Sequence, residues 1–251
     1  MTEQTNAAGS GAAGWSVEPR LVDAGRGLSW WTEAWPLFTK CAGVWIVMTL
    51  ILLVILIAVG FIPVLGGLAI SLLLPVFTGG WMLAAQKVDA GGTVEIGDLF
   101  SGFRDKLLPL AVLGALMLAA SLLIGLVAVV LGAGAIFGMI TGGALGSSAG
   151  VMAGLGAGML GVLAALALSL VVTMALWFAP ALVMLRNVAP VEAMKASFAA
   201  CLKNTVPFLV YGVLYLVAAI VASIPFGLGW IVLMPVLMLT LYVSYKDIFG
   251  E

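Results

Sequence analysis

Apolar residues run in long blocks along this chain, and polar residues collect between them. One block covers about 42–62, is interrupted by "IPVLGG", and resumes over about 68–85. A polar stretch follows at 86–106, after which residues 107–185 carry no charge at all. Two last blocks cover about 206–224 and 229–245, separated by "IPFGLGW". A membrane-crossing helix needs about 20 predominantly apolar residues. The pattern therefore predicts six spans, at about 42–62, 68–85, 107–133, 152–180, 206–224 and 229–245, with a glycine-rich connection over about 134–151.

The blocks echo one another. "FSGFRDKLLPLAVLG" at 100–114 and "FAACLKNTVPFLVYG" at 198–212 match at Phe100 and Phe198, Pro109 and Pro207, Val112 and Val210, and Gly114 and Gly212. Each has basic residues a few positions before its proline. The segments ahead of the upward spans, about 29–41, 95–106 and 190–204, read as short amphipathic helices; in the first, Trp31, Trp35 and Phe38 recur at helical spacing. The returning spans share a motif, "LLPVF", "FAPAL" and "LMPVL", centred on Pro75, Pro180 and Pro235. The expected fold is an all-α polytopic membrane bundle of three parallel hairpin repeats, each preceded by an amphipathic interfacial helix and arranged with pseudo-threefold symmetry.

Composition and charge placement sharpen this. Hydrophobic residues make up 64% of the 251 and charged residues 8%, against about a quarter charged in ordinary soluble domains. The net charge of -1 supplies no field for nucleic acid. With six spans, all ten Lys and Arg fall on one side, which the positive-inside rule makes cytoplasmic. Both termini are then cytoplasmic. A seventh span over 134–158 would carry Arg186, Lys195, Lys203 and Lys246 outside and break the parity of the repeats. Residues 1–22 are expected to be a disordered cytoplasmic tail ahead of a membrane domain at 23–249. They show no cleavable signal, so the first span is expected to direct insertion.

Candidate chemistry is sparse. The predicted spans contain no Asp, Glu, Lys or Arg, and the chain has no histidine. Intramembrane ionisable groups are the usual mark of proton and ion paths. No zinc, Walker or nucleophile-elbow motif is present. The expectation is a protein that is not an enzyme and takes no metal or cofactor. Cys41 and Cys201 read as reduced thiols near the interface. Lys40, Arg104, Lys106, Lys195 and Lys203, beside aromatic or apolar anchors, are candidate contacts for anionic phospholipid head groups or a partner. They serve equally as topology determinants and snorkelling anchors. Ion pairs with Glu33, Glu95, Asp98, Asp105 and Glu192 are expected to brace the lead-in helices against one another, with Asp23 and Arg26 tying the tail to that ring. The eight tryptophans suggest an interfacial belt.

Glycines at 134, 138, 142, 146, 150, 154 and 158 recur every four residues. On a helix, Gly134, Gly138, Gly142, Gly146, Gly150, Gly154 and Gly158 would form a bare strip for close packing, within the chain or between copies. The same residues also suit a glycine-rich turn.

"VDAGRGLSWWTEAWPLFTK", "LWFAPALVML", "MKASFAACLKNTVPFLVYG" and "IPFGLGWIVLMPVLMLTLYVSYKDIF" together resemble a family of uncharacterised bacterial inner-membrane proteins, a multi-pass domain of unknown function. The likeness covers about 21–130 and 160–249. It implies a cytoplasmic-membrane location and about six helices, and supplies no active site; the glycine ladder lies outside the shared pattern. The function expected is that of a non-catalytic membrane component organising lipid or a partner at the cytoplasmic face, with a homo-oligomer or a membrane-protein partner open. The alternative is a pore or facilitator for a small neutral or apolar solute, its path formed by proline-bent returning helices.

Overall fold

The protein is seen in a computed structural model that describes residues 17–250, which are helical apart from short connections. The first part of the expected tail, 1–16, lies outside the described residues. A short helix, α1 (Arg26–Lys40), leads into α2 (Ala42–Gly60), and α3 (Leu65–Asp89) returns. A 3-10 turn (Ile96–Phe100) and α4 (Ser101–Asp105) lead into α5 (Leu107–Ala144), and α6 (Ser148–Trp177) returns, continuing after a break as α7 (Ala179–Arg186). Then α8 (Pro190–Lys203) leads into α9 (Thr205–Ser223), and α10 (Trp230–Phe249) returns. Six helices are long and apolar enough to cross a membrane, counting α6 and α7 as one.

The three junctions between lead-in and upward helix share one backbone geometry. Cys41 lies at φ -139, ψ 38, Lys106 at φ -143, ψ 33 and Asn204 at φ -113, ψ 32. At each, one residue leaves helical geometry while its N–H still bonds back into the lead-in helix, to Phe38, Gly102 and Ala200 respectively. The chain therefore turns without orphaning a buried backbone donor, whose loss in an apolar setting costs several kcal/mol.

The core lies among the returning helices at the charged end. Pro75, Pro180 and Pro235 are all buried there. Pro180 lacks an N–H and its ring crowds the preceding turn, and α6 breaks from α7 at Phe178. Trp30, Trp45 and Trp81 are fully or almost fully buried, with Trp45 stacked on Trp81 at 6.1 Å. These three are core residues, not members of an interfacial belt, because the short helices fold under the bundle and close its base. In α1 the buried face is Trp30, Ala34, Leu37 and Phe38, displaced from the expected Trp31, Trp35 and Phe38 stripe; Trp35 is 51% exposed.

The middle hairpin departs most from expectation. The glycine-rich connection expected over 134–151 shrinks to residues 145–147, and both helices run through the ladder. Glycine weakens helices in water by exposing the backbone. In an apolar surrounding nothing else can take the freed N–H and C=O groups, so the helix persists. Close packing requires the glycines: a Cβ on Gly142 would stand 2.5 Å from Val151 N, and one on Gly154 2.6 Å from Met139 N. At about 1.5 Å per residue, the 38 residues of α5 reach about 57 Å, against about 28 Å for the 19 residues of α2 or α9. The α5–α6 pair is thus an apolar arm extending well past the other hairpins.

Candidate functional site

Polar chemistry among the described residues concentrates at the base, where lead-in helices meet the last turns of returning helices. α3 and α10 extend further than the expected spans and carry Lys87, Asp89, Lys246 and Asp247 into this layer. Asp247 is its hub. Its Oδ2 accepts from Arg26 Nε at 2.7 Å and from Trp30 Nε1 at 2.9 Å. Arg26 also pairs with Glu33 at 2.8 Å. The hydrogen bond to Asp247 is the main influence raising the Arg26 pKa above its ordinary value, with burial working against it. Asp89 receives Lys246 and the Tyr242 hydroxyl, the latter at 3.0 Å. Lys87 pairs with Asp98, 2.8 Å away and buried.

Apart from Arg26–Glu33, which lies within α1, these pairs join lead-in segments to returning helices, or returning helices to each other. The expected bracing among the three lead-in helices is absent among the described residues: Lys195 pairs with Glu192 inside α8, at 2.9 Å. The reason is geometric, since the returning helices end between the lead-in helices. Arg26 reaches α10 rather than Asp23, whose carboxylate makes no bond among the described residues.

Residues 17–22, expected at the end of a disordered tail, instead form an ordered strap across the base. Arg20 N–H donates to Ile248 O at 2.8 Å. Asn204, fully buried, accepts from Val22 N–H at 2.9 Å and donates to Arg20 O at 2.9 Å and Ala200 O at 3.0 Å. A buried amide wants all these partners, and the strap backbone provides two of them. In the sequence Asn204 stands between Lys203 and Thr205 at the end of a lead-in segment, with nothing to mark its partners.

The candidate cations divide. Lys106 donates to Asn187 Oδ1, Arg104 to Ser101 Oγ at 3.0 Å, and Lys203 to Pro19 O at 2.9 Å. Lys40 is exposed and unpaired among the described residues. Lys40, Arg104 and Lys203 each occupy the last turn of a lead-in helix. Lys195 stands a turn or more from that level and is occupied by Glu192.

The two thiols stand in different settings. Cys41 is part-exposed at the first junction. Cys201 is buried in α8 with its Sγ 3.6 Å from Met174 O, and burial pushes its pKa up to about 12. It stays a protonated thiol, and no group of three or more metal-ligating residues occurs among the described residues.

Among the ladder positions, Gly138, Gly142, Gly150 and Gly154 face the opposite helix of the arm, and Gly158 stands near Ala135. Gly146 makes the turn at φ +63, and Gly134 faces open space.

No family model matches this chain. No solved structure matches it either. The chain is similar to a protein of Burkholderia thailandensis described as a probable inner membrane protein, with 29% identity over 213 residues, covering 83% of this chain and 78% of that protein. With six apolar helices of crossing length and a base that gathers the charge, this likeness describes a multi-pass inner-membrane protein.

Proposed function

We propose that this protein is a non-catalytic membrane component that holds anionic phospholipid head groups at the cytoplasmic face through the ends of its three lead-in helices. The observation that carries the reading is the placement of Lys40, Arg104 and Lys203, each exposed, in the last helical turn before a kink into an apolar span. A cation there stands at head-group level, where attraction to anionic lipid is worth about 1 kcal/mol per Lys or Arg. None of the three is neutralised by a carboxylate among the described residues. Orientation with this face inside follows the positive-inside rule, every Lys and Arg of the chain lying in segments at or ahead of the base.

Native mass spectrometry of the detergent-released protein tests the reading. The wild type is expected to retain phosphatidylglycerol or cardiolipin, and the triple variant Lys40→Gln, Arg104→Gln, Lys203→Gln to lose most of it. Equal retention by both proteins refutes the assignment. The pore reading gains nothing from Pro75, Pro180 and Pro235, which are buried among side chains.

A further inference from the structure

A cleft of about 710 Å³ opens at the base between the strap and the α8–α9 junction. That volume is in the range of small-molecule sites. Its walls are held: Asn204 pins the strap on one side, and α1 presses on α9 so closely that a Cβ on Gly27 would stand 2.3 Å from Pro207 O. Five charged residues line it. Arg26 and Asp247 neutralise each other across 2.7 Å. The other three do not: Arg20 and Lys203 donate to the backbone carbonyls of Asp247 and Pro19, and Asp23 is unpaired among the described residues. Two uncompensated cations and one uncompensated carboxylate thus share a cleft.

The remaining wall is apolar and open. Leu21, Leu202 and Val206 line the cleft and are 68%, 54% and 58% exposed. Val206 belongs to the first turn of the apolar helix α9, so this wall continues onto the surface that meets lipid chains. Charge of both signs on one side and an apolar exit toward the bilayer on the other match a zwitterionic amphiphile.

We propose that this cleft binds one phospholipid with a primary-ammonium head group, of the phosphatidylethanolamine class. Arg20 and Lys203 hold the phosphodiester through charge-assisted hydrogen bonds. Asp23 accepts from the ammonium, and an acyl chain leaves along Leu202 and Val206. A quaternary choline head group has no N–H to donate, and a glycerol head group has no cation for Asp23. The site shares only Lys203 with the anionic-lipid ring and does not depend on it.

The test uses the full chain in nanodiscs of equal parts phosphatidylethanolamine, phosphatidylcholine and phosphatidylglycerol, with retained lipid read by native mass spectrometry. The wild type is expected to keep one phosphatidylethanolamine, favoured over phosphatidylcholine about tenfold, the worth of one charge-assisted hydrogen bond. Asp23→Asn should abolish that preference while keeping a lipid, and Arg20→Gln with Lys203→Gln should abolish phosphatidylethanolamine retention. All three side chains are exposed, so unchanged melting in detergent is expected and checks that the variants fold. Equal retention of phosphatidylethanolamine and phosphatidylcholine by the wild type, or full retention of phosphatidylethanolamine by the Arg20, Lys203 variant, overturns the site. Lys40→Gln with Arg104→Gln should lower phosphatidylglycerol retention and leave phosphatidylethanolamine unchanged, which separates the failure of the cleft from that of the ring.

Discussion

Ser197 stands inside the backbone ladder that Phe178 leaves open. Its Oγ accepts the Phe178 N–H at 2.9 Å and donates to Met174 O at 2.6 Å, the carbonyl that this N–H would reach in an unbroken helix. A hydroxyl inserted into an i→i−4 bond is one of the recognised causes of a sharp kink. Here it reconciles the Pro180 break with full satisfaction of the buried backbone. Ser197 is itself wholly buried.

Replacing Ser197 by Ala therefore leaves the Phe178 N–H unpaired at the α6–α7 break and Met174 O with only the weak Cys201 thiol as donor. The expected loss is about 2 kcal/mol, a drop in melting temperature of about 4–8 °C for a chain of this size. Thermal unfolding in detergent measures it. Ser197→Thr, which retains the hydroxyl, should recover part of the loss, whereas a packing role alone would make Thr at least as harmful as Ala.

Asp247 and Trp30 couple the last helix to the first, 217 positions apart. Asp247→Ala strands the buried indole N–H and one side of Arg26, with an expected cost of about 2–3 kcal/mol. Glu33→Gln touches the exposed side of the same arginine, where Glu33 is 46% exposed, and should cost less than about 0.5 kcal/mol. Melting curves of the two variants that shift equally would contradict the hub role of Asp247.

The glycine ladder makes a contrast within one motif. Gly142→Leu drives a side chain into the backbone of α6, whose nearest atom lies 2.5 Å from the Cβ position, and should lower stability by about 2 kcal/mol or more. Gly134→Ala meets nothing within 4 Å and should be neutral or stabilising by up to about 1 kcal/mol. Equal destabilisation by both substitutions would mean that Gly134 also faces a partner.

The arm has a consequence for the bilayer. Laying an about 57 Å helix within an about 30 Å hydrocarbon core requires a tilt near 58°, beyond the 0–40° range common for spanning helices. Phe137 and Met152 near its tip are 70% and 66% exposed and need hydrocarbon. Spin labels at these positions are expected to be accessible to oxygen and shielded from a water-soluble nickel relaxant, with a steeply inclined arm or a locally thickened membrane. Free access of the nickel reagent to both would place the tip in water.

Much of the fold was legible in the one-dimensional pattern. Desolvation of backbone groups in an apolar surrounding leaves helices as the economical solution, so the uncharged blocks specified the number of crossing helices and their rough ends. Charge clustering likewise marked the base, since Lys and Arg avoid hydrocarbon. Other features depended on which helices meet. Lys246 was legible only as a cation on the charged side, and α10 is what brings it and Asp247 beside Asp89, Arg26 and Trp30. Asn204, beside Lys203 at the end of a lead-in segment, had no visible partner until the strap crossed it. The glycines suited a helical strip, but the pattern chiefly predicted a connection over about 134–151. Helix propensity is weak and local, and only the approach of α5 to α6, buried backbone against buried backbone, decided between them. Composition and periodicity are properties of single segments and determined what crosses the membrane; ion pairs, inserted hydroxyls and clefts are properties of pairs of segments, and tertiary packing alone decided those.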